Sequence, residues 1–164
     1  IVRIGMMCRR FIVLIICLTH GRSGRDVLRK LLILAREAGL PIEEEDVAVE
    51  PLLPAEYFEG GTEDFYRRLQ EHEPELAARY RDAAEKGRRR RGVASLVHCP
   101  DAATGYRASI VLKEVGEDHP LFNLSGTDNA VIIETDFYPS PLVIQGAGAG
   151  AYQTASGILN DILK

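Results

Sequence analysis

Four stretches in the second half of the chain constrain the fold most: "GVASLVHC", "YRASIVLKEV", "AVIIETDFY" and "PLVIQG". Each is an apolar or alternating run of strand length, bounded by Gly, Pro, Asn or Asp. "PDAATG" separates the first two and predicts a β-hairpin with a six-residue connection. "EDHPLFNLSGTDN" reads as irregular, and Pro139, Ser140 and Pro141 join the last two strands.

Helices precede them. "SGRDVLRKLLILAREAG" opens on an N-cap serine, Ser23, with Asp26 three residues on, and stops at Gly39 with Pro41 beyond. Val27, Leu28, Leu31, Leu32, Leu34, Ala35 and Ala38 make a broad apolar face at helical spacing, with Asp26, Lys30, Ile33 and Glu37 opposite. "VAVEPLL" reads as a short strand, where Pro51 marks an end or an edge. "TEDFYRRLQEHEPELAARYRDAAEKG" is charged and helical, expected to break near Pro74 into two helices and to stop at Gly87. The order predicts an α+β fold: a mostly antiparallel sheet with helices packed on one face, ending in a Gly-rich turn and a C-terminal helix. At 164 residues, one domain suffices.

Arg88 to Arg91 form a run of four arginines, which suggests a phosphate or nucleic-acid patch. Residues 62–91 nevertheless hold nine basic and seven acidic side chains, so a solvated helix end is expected instead. The net charge of −4 likewise gives no reason to expect a nucleic-acid partner. Cys8, Cys17 and Cys99 are odd in number and widely spaced, without a C-x-x-C pair. This pattern suits reduced thiols in a cytoplasmic protein and indicates neither a disulfide framework nor a metal site. Near the start, eight apolar residues run from Phe11 to Leu18 behind Arg9 and Arg10. That is far short of the ~20 needed to span a bilayer, so no membrane span is expected. The run suits either the hydrophobic core of an export signal or a buried strand.

Two places could carry chemistry. Asp26 and Lys30 stand at i and i+4, so their side chains meet on one helix face. They read as a surface ion pair, or as an ammonium that moves a proton beside a carboxylate that grips a cationic substrate group. In "VIQGAGAGAYQTASGILNDILK", Gly146, Gly148 and Gly150 alternate with alanine between a strand and a helix. Missing Cβ atoms and free N–H groups at a helix start let a ligand approach the backbone. The third glycine of G-x-G-x-x-G is absent, since Gln153 stands there, and a tight turn chosen for packing fits as well.

Taken together, "SGRDVLRKLLILAREAG", "EDHPLFNLSGTDN" and "YPSPLVIQGAGAGAYQTASGILNDILK" resemble, in that order, the carboxy-terminal part of homoserine dehydrogenase. The resemblance covers about Ser23 to Lys164. It implies reduction of aspartate 4-semialdehyde to homoserine with NADP or NAD as cofactor. It also implies a substrate-binding domain that forms homodimers, with a last helix that returns to an upstream Rossmann domain. By position, Lys30 in D-V-x-x-K matches the catalytic proton donor, and Asp26 matches the residue that binds the amino acid substrate. Gly150 matches a cofactor contact, with Gly148 supporting the same turn. The likeness is to the bifunctional aspartokinase–homoserine dehydrogenases, in which the dehydrogenase comes last.

The departures lie at the start. Where the family carries an acidic segment running into D-L-S-G, this chain reads "IICLTHGRSG", with Gly21 in place of the last aspartate. Residues 1–22 are therefore expected to form an atypical hydrophobic and basic segment, and residues 23–164 the substrate-binding and dimerisation domain. Without the Rossmann domain, the chain alone is expected to be inactive. The alternative from another class is a non-catalytic assembly module of the same fold. A third reading, a small exported protein, rests on the apolar start alone.

Overall fold

The computed structural model describes residues 8–15, 25–51, 53–148 and 150–163. The expected Ser23 cap and the end of the apolar run at Leu18 lie outside them. In chain order the elements are β1 (Cys8–Ile15), α1 (Arg25–Glu37), β2 (Val47–Val49), α2 (Thr62–Glu85), β3 (Arg89–His98), β4 (Tyr106–Val115), β5 (Asp128–Thr135), β6 (Leu142–Ala147) and α3 (Ala151–Leu163). Short 3-10 turns at Glu44–Asp46 and Ala55–Phe58 flank β2. Among the described residues, no helix is long and apolar enough to cross a membrane.

Six strands form one sheet in the order β2-β4-β3-β1-β5-β6. The hairpin is as expected: β3 and β4 pair antiparallel from Arg89↔Val115 to His98↔Tyr106. Cys99 joins its connection by donating its N–H to the Gly105 carbonyl at 2.8 Å. β2 pairs parallel with β4 at one edge, where Pro51 just beyond it interrupts no ladder. The apolar start supplies the strand reading over Cys8–Ile15, and an interior one. β1 lies between β3 and β5, with Phe11 opposite both Leu96 and Ile133. All pairings but β2–β4 are antiparallel. The result is the α+β arrangement expected from the strand spacing.

Strand alternation gives the sheet two different faces. On one, Val27, Leu28, Leu31, Leu32 and Ala35 of α1 pack on Ala94 and Leu96 of β3 and on Ala108 and Ile110 of β4. Full burial of such side chains is worth roughly 1.5–3 kcal/mol each. Arg79 of α2 lines one cavity with Arg90, Leu112 and Glu114, which point the same way along β3 and β4, so α1 and α2 share this face. On the other face, among the described residues, no helix joins the core. The connection between β4 and β5 folds over it, seating Leu121 and Leu124 against Val93, Val115, Ala130 and Ile132. Beside that cover, Ser95 and Ser109 share a hydrogen bond of 2.9 Å between facing strands.

Helices α1 and α2 end as their glycines predict. Gly39 donates to Arg36 and Leu40 to Ala35, while Gly87 donates to Ala84 and Arg88 to Ala83. These are paired Schellman bonds that satisfy the last carbonyls.

Two expectations are corrected. Pro74 does not divide the charged segment, because α2 runs unbroken through it. The N–H that proline lacks would have bonded the carbonyl of Gln70, on a stretch exposed from Gln70 to Glu75. Ion pairs of Arg67 with Asp64 and Glu71, each at 3.2 Å, hold the preceding turns. Nor is the arginine run a solvated helix end. Arg89 to Arg91 open β3, and only Arg88 belongs to the helix stop. Arg91 donates to the carbonyls of Leu121, Phe122 and Leu124 at 3.0, 2.7 and 2.9 Å. Arg89 stacks 4.4 Å from the Phe122 ring centre, and Arg90 grips Glu114 at 2.8 Å. Arg89 and Arg91 thus scaffold the β4–β5 connection, while Arg90 serves the opposite face.

Candidate functional site

α1 carries the first pair of candidates. Its five buried apolar side chains fix which stripe faces the sheet, and the opposite stripe is left to water. Asp26 and Lys30 lie on that outer stripe one turn apart, with Nζ 2.8 Å from Oδ2. Lys30 is 37% exposed and Asp26 52%, so the pair is accessible to a small polar molecule. Asp26 also lies in the first helical turn, where the macrodipole favours a carboxylate. As an ion pair alone it is worth a few tenths of a kcal/mol. Chemically, the ammonium has protons to donate, and a carboxylate has lone pairs enough to accept from Lys30 and from a second cation.

The glycine turn carries the second pair. β6 pairs with β5 from Leu142↔Ile133 to Ala147↔Asp128 and then gives way to the turn. The Gly148 N–H donates to the Thr127 carbonyl at 2.8 Å. A Cβ at residue 148 would collide with the side-chain amide of Asn129, and Gly150 adopts φ +147°, which side chains rarely tolerate. A Cβ at Gly146 would meet nothing. Glycine at 148 and 150 thus leaves room that the side chains of Asn129 and Gln153 occupy. Thr154, whose hydroxyl is a further candidate at the helix start, donates it to the Gly150 carbonyl at 3.1 Å. It thus serves the first turn of α3.

The two pairs lie apart laterally but on one face. Asn129 and Val131 point to the same side of β5 by alternation, and Val131 packs at the margin of the core under α1. α1 sits on β3 and β4, whereas the turn leaves β6, three strands from β3. At ~4.8 Å per strand, the lateral offset is about 14 Å. Among the described residues, no group of His, Cys, Asp and Glu is placed to hold a metal ion.

The sequence reading missed Asn129 and Asp128. Their role depends on which strand they face, and only the "GTDN" turn signal before β5 hinted at them. It also missed how exposed the end of the chain's fold is. Every described side chain of β6 and α3 is exposed, including Leu142, Ile144, Tyr152, Ile158, Ile162 and Leu163.

The homoserine dehydrogenase family model matches residues 21–163. Bifunctional aspartokinase/homoserine dehydrogenase 2 of Escherichia coli K12 is 43% identical over 141 residues, covering 85% of this chain and 17% of its own length. A Candida auris protein of unknown function, known from a crystal structure, matches with a TM-score of 0.70 at 36% identity, over 87% of this chain and 39% of that one. The homoserine dehydrogenase of Thiobacillus denitrificans shares the fold, with a TM-score of 0.61 at 24% identity over 90% of this chain and 29% of its own. The chain thus spans about 17% of the length of the Escherichia coli relative. On the family match across nearly its whole described length, this chain belongs to the homoserine dehydrogenase family.

Proposed function

We propose that residues 23–164 form the substrate-binding and dimerisation part of a homoserine dehydrogenase, acting in the cytoplasm on aspartate 4-semialdehyde and homoserine. The observation that carries this reading is the Asp26–Lys30 pair, accessible at 2.8 Å on the outer stripe of a helix anchored from below. Lys30 donates a proton to the aldehyde oxygen, and Asp26 holds the ammonium of the amino acid while still accepting from Lys30.

A reduced nicotinamide cofactor, NADPH or NADH, would when bound supply the hydride to the carbonyl carbon and be left as NADP+ or NAD+. As that C–H bond forms, the carbonyl electron pair moves onto oxygen and takes the Lys30 proton, which gives the alcohol and a neutral amine. Gly148 and Gly150 would let the cofactor come close to the backbone, since neither adds a Cβ beside the Asn129 and Gln153 side chains. The rest of the cofactor site must come from residues beyond these. β6, the strand that leads into the turn, pairs antiparallel with β5, whereas a dinucleotide fold places such a turn after a strand of a parallel sheet. The apolar residues exposed on β6 and α3 suit contact with such a domain or with a second copy.

The test is NAD(P)H-dependent reduction of aspartate semialdehyde by the purified chain, alone and mixed with a separately expressed Rossmann domain of the same family. Turnover is expected only in the mixture, and Lys30→Ala abolishes it. A silent mixture, with the chain folded and dimeric, would favour the non-catalytic assembly module, a reading that the same exposed apolar surface supports.

A further inference from the structure

We infer that Asn129 is a positioning residue, whose side-chain amide sets where the glycine turn stands. The inference rests on the reading of Gly148 and Gly150 as cofactor contacts only for its catalytic consequence.

The register provides the geometry. Asn129 faces Gly146 across the β5–β6 pair, so residue 148 is its diagonal neighbour on the same face, within reach of a side chain. With no Cβ at 146 or 148, nothing on β6 stands between the Asn129 amide and the backbone of the turn. The amide leans along the strand onto Gly148, in the space a Cβ would need. Two residues before Asn129, just ahead of β5, the Thr127 carbonyl takes the Gly148 N–H at 2.8 Å. On the opposite face, Gln145 reaches diagonally back to donate to Asp128 at 3.0 Å. The start of β5 therefore grips the end of β6 on both faces, immediately before the chain turns into α3.

Such a grip is needed here because the turn has little else to locate it. Gly148 is exposed, and no residue of α3 is buried. A turn of small residues without packing is free to wander, while a displacement of about 1 Å in a reacting group can cost 10²-fold in rate. Asn129 supplies the missing wall, and glycine at 148 is what lets that wall come close.

The test uses Asn129→Ala and the isosteric Asn129→Asp. In the chain as it stands, amide hydrogen exchange at Gly148 is expected to quicken about tenfold in Asn129→Ala, with the unfolding midpoint unchanged. Asn129→Asp, which keeps the shape, retains the protection. In the mixture with the Rossmann domain, Asn129→Ala raises KM for NAD(P)H about tenfold and leaves KM for aspartate semialdehyde unchanged, a split that general loosening would not produce. Unchanged exchange at Gly148 in Asn129→Ala overturns the inference. Faster exchange with unaltered cofactor KM overturns its catalytic part. If the unmodified mixture is inactive, the proposed function fails on its own account, and the exchange result alone decides the position of the turn.

Discussion

The sheet under α1 and the limb formed by β6 and α3 are built to opposite rules. Under α1, Leu31 and Ala35 are wholly buried, and Ala94, Leu96 and Ile110 meet them with almost no exposure. Along β6 and α3 the composition is as apolar, yet Tyr152 is 89% exposed and Leu163 74%. An apolar stripe at helical spacing is thus not the same as a core. The first stripe is buried by the described residues, whereas the second is left exposed by them. The two halves of the candidate site are divided in the same way, with Asp26 and Lys30 on the helix that covers the core and the glycine turn on the exposed limb.

The sharpest way to break this comparison is to truncate one residue in each stripe. Leu31→Ala should cost about 2–5 kcal/mol, the usual range for a buried leucine. Ile158→Ala on α3 should stay within about 0.5 kcal/mol. Urea unfolding of the two variants decides the matter, and a comparable loss from Ile158→Ala would mean that α3 packs in solution. Next in size is Arg91→Ala, which frees three carbonyls of the β4–β5 connection. Charge-assisted bonds of this kind support a loss of about 2–3 kcal/mol, whereas Arg88→Ala should be nearly silent by the same measurement.

The smallest effect concerns the same connection. Burial holds the His119 imidazole below its ordinary range, more than offsetting Asp118, and Lys113 acts in the same direction as burial. The neutral ring accepts the Leu121 N–H at Nδ1, 3.2 Å away. Because the folded state resists protonation, the unfolded chain binds the proton more readily. The stability from His119 is therefore present above about pH 6.5 and is lost as pH falls below that value. His119→Asn should flatten the fall in thermal midpoint below that pH, and an unaltered pH profile would show that the cover over the second face is insensitive to this ring.

Much of the fold was legible in the residues. The hairpin, the apolar stripe of α1 and the stops at Gly39 and Gly87 are local devices, and each lies where its pattern put it. The Asp26–Lys30 contact was legible too, because i and i+4 are neighbours on any helix. The arginine run was misread because its charge was weighed against sequence neighbours, while the partners of Arg91 are carbonyls some thirty residues away. Pro74 was misread because a helix on the surface can leave a carbonyl to water, which sequence cannot foresee.

Sequence by itself determined most of the elements from α1 onward and the chemical types at Asp26, Lys30, Gly148 and Gly150, because helical and strand periods and glycine's missing side chain are local properties. Tertiary structure alone decided that Cys8–Ile15 enters the sheet between β3 and β5, and that Asn129 meets Gly148. It also decided which of two similar apolar stripes becomes core. Those outcomes depend on register and on which faces are already covered, and no run of neighbouring residues encodes either.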